Sequence, residues 1–148
     1  MNNNMLTFEH GNMENSGSQL LVSLTPSTKT KIGGVTFAIR PQVVIRENDS
    51  MHRYSADEEV SVFLTASKLA HILLVLQNKS STAFCKNLPN SMIMFVDKVN
   101  IPYEGYSVHI KSMSNDYPPV HGRIILNKTE GFSLECALSS SMGRIAFG

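Results

Sequence analysis

The hydrophobic rhythm of this chain changes period at Thr65. Before it, Val60, Val62 and Leu64 alternate with Glu59, Ser61 and Phe63, the period-two pattern of a strand. After it, Leu69, Ile72, Leu73 and Leu76 recur at i, i+3, i+4 and i+7, with Ala66 and Val75 widening the stripe. That spacing predicts an amphipathic helix capped by Thr65, which must lie on a sheet. Lys79 is expected in its last turn, where a cation suits the helix dipole. The flanking chain reads as strands. Residues 19–24, 35–40 and 42–47 precede the helix, with Pro41 marking a bulge or bend, and 91–101, 106–113, 122–127 and 131–138 follow it. The turns "PYEGY", "SNDYPPVHG" and "NKTEG" are the short connections of an antiparallel meander. Residues 1–18, rich in Asn, Ser, Gly and Met, are expected as a flexible arm in which only "MLTF" has strand character.

The tail from Gly131 loosely echoes the region around Thr65. In both places an alternating run ends in Leu before a hydroxyl residue, Leu64 then Thr65 and Leu138 then Ser139. The echo predicts a short second helix of about two turns after Ser139, and a duplicated strands-plus-helix unit over 19–80 and 91–148. The expected fold class is α+β, with about eight strands in curved antiparallel sheets, one central helix and a short C-terminal helix, in a single domain over 19–148.

Composition narrows the function classes. Of 148 residues, 42% are hydrophobic and 17% charged, a globular balance with the low charge common where strands dominate. The net charge of +1 carries no whole-chain signature of a nucleic-acid partner, so any electrostatic case must come from local distribution. Cys85 and Cys136 have no CxxC spacing and read as reduced thiols. The N-terminus lacks the charged and apolar regions of a signal peptide, and the longest apolar run, Ile72–Leu76, is too short to span a bilayer. A soluble cytoplasmic protein with no membrane partner is expected.

No catalytic or metal-ligating constellation stands out. The five histidines are scattered, "SADEE" reads as a solvated turn, and Gly33–Gly34 lack the rest of a phosphate-binding loop. Neither an enzyme nor a cofactor is indicated. Charge placement is more informative. Lys29, Lys31, Arg40 and Arg46 fall within Ser27–Arg46 with no acid among them and Phe37 interleaved, whereas Glu47–Glu59 holds five acids and one cation. On a strand, Val35, Phe37 and Ile39 share one face, and Thr36, Ala38 and Arg40 the other, unless a bulge at Pro41 reverses the parity. Cations beside exposed rings suit single-stranded nucleic acid, because cations track phosphates and rings stack on unpaired bases. Candidate contacts are Lys29, Lys31, Phe37, Arg40 and Arg46 in the first half, with Lys98, Tyr103, Tyr106, Lys111 and Arg123 in the second.

The segments "VTFAIRPQVVIRE" and "VSVFLTASKLAHILLVL" together resemble the fold shared by the transcription coactivator positive cofactor four and the plant Whirly proteins. The resemblance implies units of four antiparallel strands and a helix, two of which build a curved sheet that binds single-stranded DNA. It implies a non-catalytic binding protein of replication, recombination or transcription, with single-stranded DNA, or RNA, as partner and no cofactor. The Asn-, Met- and Ser-rich composition would suit a phage-encoded member. The rival expectation is a structural or assembly protein, such as a virion component, that pairs through sheet edges. A single good helix leaves apolar strand positions such as Ile93, Phe95, Ile124 and Ile125 uncovered, so a homo-oligomer, most simply a dimer, is expected.

Overall fold

Two four-stranded meanders, each closed by a helix, follow one another in the computed structural model, which describes residues 4–14, 16–43, 53–87, 91–113 and 120–147. The first comprises β1 (Asn4–His10), β2 (Ser18–Thr25), β3 (Gly34–Pro41), β4 (Val60–Leu64) and α1 (Ala66–Leu76). The second comprises β5 (Thr82–Asn87), β6 (Met92–Val99), β7 (Gly105–Ser112), β8 (His121–Asn127) and α2 (Lys128–Phe147). Each sheet is antiparallel with its strands in chain order. The fold is thus α+β, and the order of four strands and a helix in residues 4–76 recurs in residues 82–147.

Strand periodicity decides what faces inward. Val22, Phe37 and Val62 are cross-strand partners, and they pack with Leu20, Leu24, Val35, Ile39, Val60 and Leu64 on the inner face of the first sheet. The second sheet contributes Met94, Val96, Tyr106, Val108, Ile110, Ile124 and Leu126. Both helices close over the same core through Leu69, Ile72, Leu73, Val75 and Leu76 of α1 and Leu134, Leu138 and Ile145 of α2. The sheets meet where β8 packs on β2 and β3 and where β4 meets β5, β6 and β7. A Cβ on Gly122 would lie 2.8 Å from Ile39 and 2.9 Å from Val60, so only glycine allows that approach.

Several sequence expectations are corrected. Residues 131–138 are not a strand, and "NKTEG" is not a turn: Asn127 ends β8, and the residues from Lys128 on belong to the 20-residue α2, which also replaces the two-turn helix expected after Ser139. Asn127 and Glu130 start it as a capping box: Glu130 N–H donates to Asn127 Oδ1 at 2.8 Å, and Asn127 N–H to Glu130 Oε1 at 3.0 Å. Thr65 is the N-cap residue of α1, but its hydroxyl makes no capping bond, and Lys79 lies beyond the helix, whose C-cap is Gln77. Within 1–18, where an arm with a short pairing stretch was expected, β1 pairs with β2 from Asn4 to His10. The expected strand over 42–47 falls mostly outside the described residues; Gln42 forms an isolated bridge with Tyr54.

The uncovered apolar face that led to the expected dimer is also absent in part. α1 packs on β5 and β6 and α2 on β7 and β8, Ile124 joins the core, and Ile93 is only 7% exposed. Among the described residues no helix is long and apolar enough to cross a membrane.

Candidate nucleic-acid interface

The side of the second sheet away from the core carries a grid of aromatic, cationic and polar side chains. Alternation along each strand sends Phe84 and Lys86 of β5, Phe95 and Asp97 of β6, Ser107, His109 and Lys111 of β7, and His121 and Arg123 of β8 to this outer face. Register then aligns them in rows. One row runs Phe84, Phe95, His109, Arg123 across all four strands; the next runs Lys86, Ile93, Lys111, His121.

The rows are in contact. Ring centroids of Phe84 and Phe95 lie 6.3 Å apart, as do those of Phe95 and His109, and His109 meets His121 edge-on at 5.4 Å. The Lys111 ammonium sits 5.3 Å from the Phe95 ring centroid, a cation–π arrangement that holds the charge above the aromatic row. Arg123 Nε donates to Ser107 Oγ at 2.9 Å, which fixes the guanidinium at the end of the row. Phe84 is 60% exposed, far more than a strand phenylalanine needs for packing.

His109 is the most perturbed group on this face. Burial pushes its pKa below the ordinary imidazole value, and His121, Arg123 and Lys111 push the same way, against a weaker upward pull from Asp97. Its Nε2 is buried without a hydrogen-bond partner among the described residues. The carboxylate of Asp97 is engaged by the Thr82 hydroxyl.

The outer face of the first sheet is different. The corresponding row there runs Glu9, Gln19, Arg40, Glu59. Arg40 Nε donates to Glu59 Oε1 at 2.7 Å, and Gln19 Nε2 donates to Glu9 Oε1 at 2.9 Å. Its one cation is already paired.

The expected contact residues therefore separate. Lys111 and Arg123 lie together on the aromatic face. Phe37 and Tyr106 point away from the outer faces: Phe37 is fully buried, and Tyr106 is a core residue whose hydroxyl donates to the Leu76 carbonyl at 3.3 Å. Both had the right chemistry on the inward parity of their strands. Lys98 is exposed at the far end of β6, beside Glu104 and Lys128. Tyr103 donates its hydroxyl to the Ile125 carbonyl at 2.6 Å. Arg46 lies outside the described residues.

Lys29 and Lys31 are exposed on the β2–β3 loop, where with Thr65 and Ser67 they line an open cavity of about 600 Å³. Ser27 anchors this loop, donating its N–H to the Arg144 carbonyl at 3.1 Å and its hydroxyl to the Ile145 carbonyl. One residue beyond Ser67, Lys68 Nζ donates to the Lys86 carbonyl at 2.5 Å, which ties the first turn of α1 to edge strand β5.

Sequence reasoning missed Phe84, Lys86, Phe95, His109 and His121 as members of one surface. The signal for them was the period-two alternation of polar and aromatic residues along "TAFCKN" and "YSVHIKS", but only the register places them side by side. Among the described residues no group of three or more His, Cys, Asp or Glu is placed to hold a metal ion.

No family model matches the chain, and no curated protein matches it in sequence. Solved structures do match its fold. Arabidopsis thaliana WHY1, a Whirly protein, superposes with a TM-score of 0.70 at 11% identity, over 99% of this chain and 86% of that one. A structure described as Trypanosoma brucei MRP1/MRP2 gives 0.69 at 18% identity, over 97% and 85%. A guide-RNA-binding protein complex bound to a guide RNA gives 0.69 at 16% identity, over 96% and 90%. The duplicated sheet-and-helix architecture of this chain is Whirly-like.

Proposed function

We propose that this protein binds single-stranded nucleic acid, DNA or RNA, on the outer face of the β5–β8 sheet. The observation that carries the proposal is the row of Phe84, Phe95 and His109 flanked by Lys86, Lys111 and Arg123. Unpaired bases present π-faces that stack on such rings, and the flanking cations engage phosphates. Duplex lacks free base faces, which gives this surface its preference for single strands. Lys29 and Lys31 add phosphate contacts from the β2–β3 loop, and Lys98 serves a strand that runs past the far end of β6. The Whirly-like fold, and a structural neighbour bound to a guide RNA, support the same reading. The role is one of holding or handing over single strands in replication, recombination or transcription, without catalysis.

Fluorescence anisotropy tests the proposal with labelled single-stranded DNA, single-stranded RNA and duplex of the same sequence. Single strands of one or both kinds should bind more tightly than duplex, with affinity falling as salt rises. Equal affinity for duplex and single strands would remove the role of the aromatic row, and affinity independent of salt would remove that of the cations.

A further inference from the structure

His109 occupies the centre of the aromatic row, where burial first, and then the charges of the groups around it, disfavour its protonated form. Each group that faces it can be named. Across β6 are Phe95, its register partner, and Asp97, engaged by Thr82; across β8 are Arg123, its partner, and His121, edge-on at 5.4 Å; on β7 itself are Ser107 and Lys111. Beyond Phe95, β5 contributes Phe84 and Lys86. Lys111 and Arg123, the cations whose charge opposes protonation of the imidazole, are among those the proposed function assigns to phosphates.

We propose that binding of single-stranded nucleic acid to this face takes up a proton at His109, so that acidification tightens the site. The inference rests on the proposed function and adds its regulation. A phosphate seated on Lys111 or Arg123 cancels the positive field that opposes a charge on the imidazole and supplies a negative one. A stacked base would oppose protonation by excluding water. That effect falls on the partly exposed remainder of the ring, because Nε2 is already shielded from solvent in the free protein. The Coulomb effect therefore wins, and the imidazole accepts its proton more readily in the complex than in the free protein. By linkage, affinity then rises as pH falls through the interval between the bound and free values, and is level on either side. One proton sets a limit of about a tenfold gain per pH unit.

Anisotropy with a labelled oligothymidylate, whose bases do not titrate in this range, measures the effect at fixed salt between about pH 8 and pH 5.5. Wild-type affinity should rise several-fold toward the acid end. His109→Phe, which keeps a ring in the row, should show an affinity that is level with pH, whereas His121→Gln should keep the dependence. Wild-type affinity that is level with pH overturns the proposal and leaves the proposed function standing, as does a His109→Phe variant with the wild-type slope. No binding at any pH overturns both. An NMR titration of the His109 imidazole in the wild-type chain needs no variant: its midpoint should move to higher pH when the protein is saturated with oligothymidylate, and an unmoved or lowered midpoint overturns the proposal.

Discussion

Phe95 lies between the Phe84 and His109 rings with the Lys111 ammonium above it, whereas Phe37 is enclosed by aliphatic side chains on both neighbouring strands. The same residue type therefore carries opposite consequences at the two positions. Phe95→Ala should weaken single-strand binding by the stacking free energy of about 1–3 kcal/mol per base, while the thermal melt changes little. Phe37→Ala should cost about 3–5 kcal/mol of stability through the cavity it leaves, so its melt falls first. Anisotropy and calorimetry on the two variants separate the effects; a Phe95→Ala protein with wild-type affinity would rule out stacking at that ring. His109 adds a stability signature of its own. Its folded pKa lies below the ordinary value, so the unfolded chain takes up the proton more readily. Stability without ligand should accordingly be full above the ordinary imidazole range and decline as pH falls from there to the lowered value. Removing the imidazole in His109→Phe should flatten the melting temperature over that interval.

At the level of elements, α1 was legible because Leu69, Ile72, Leu73 and Leu76 satisfy helical spacing and no other. α2 was not, because Phe132, Leu134, Cys136 and Leu138 also alternate as in a strand. Only Leu134 and Leu138 are buried, four residues apart, with Phe132 and Cys136 exposed. The sign of a helix lay in its first turn, where Asn127 and Glu130 stand three apart as a capping box. β5 escaped notice for a related reason: its inward residues are Ala83, Cys85 and Asn87, while its one large apolar residue, Phe84, points outward. Which strand face binds was equally illegible, since parity groups residues but only packing tells which group is covered. Asn127→Ala should destabilise the protein by about 1 kcal/mol, read as a lowered melting temperature. Leu134→Ala should cost about 2–5 kcal/mol, because the residue is fully buried against the shared core. A melt unaffected by Leu134→Ala would mean that α2 does not contribute to that core.

Across the whole molecule, the two units repeat the same topology while their outer faces have diverged. The first sheet sets Arg40 beside Glu59 at 2.7 Å with Glu9 at the end of the same row; the second sets Arg123 in a row of rings with no acid in it. Duplication supplies two equivalent scaffolds, and side-chain chemistry makes only one of them attractive to a polyanion. A strand of nucleic acid approaching the first sheet would have to displace Glu59 from Arg40 and would still meet Glu9. On the second sheet, Lys86, Lys111 and Arg123 carry no carboxylate partner among the described residues, so phosphates displace only counterions. Arg40→Gln should therefore leave single-strand affinity and its salt dependence unchanged. Arg123→Gln and Lys111→Gln should each weaken binding and reduce the slope of log affinity against log salt by about 0.7 for every phosphate that is no longer neutralised. Salt titrations of the three variants measure this directly. If Arg40→Gln lowered the slope as much as Arg123→Gln, both sheets would be bound alike, and the asymmetry between their outer faces would have no part in recognition.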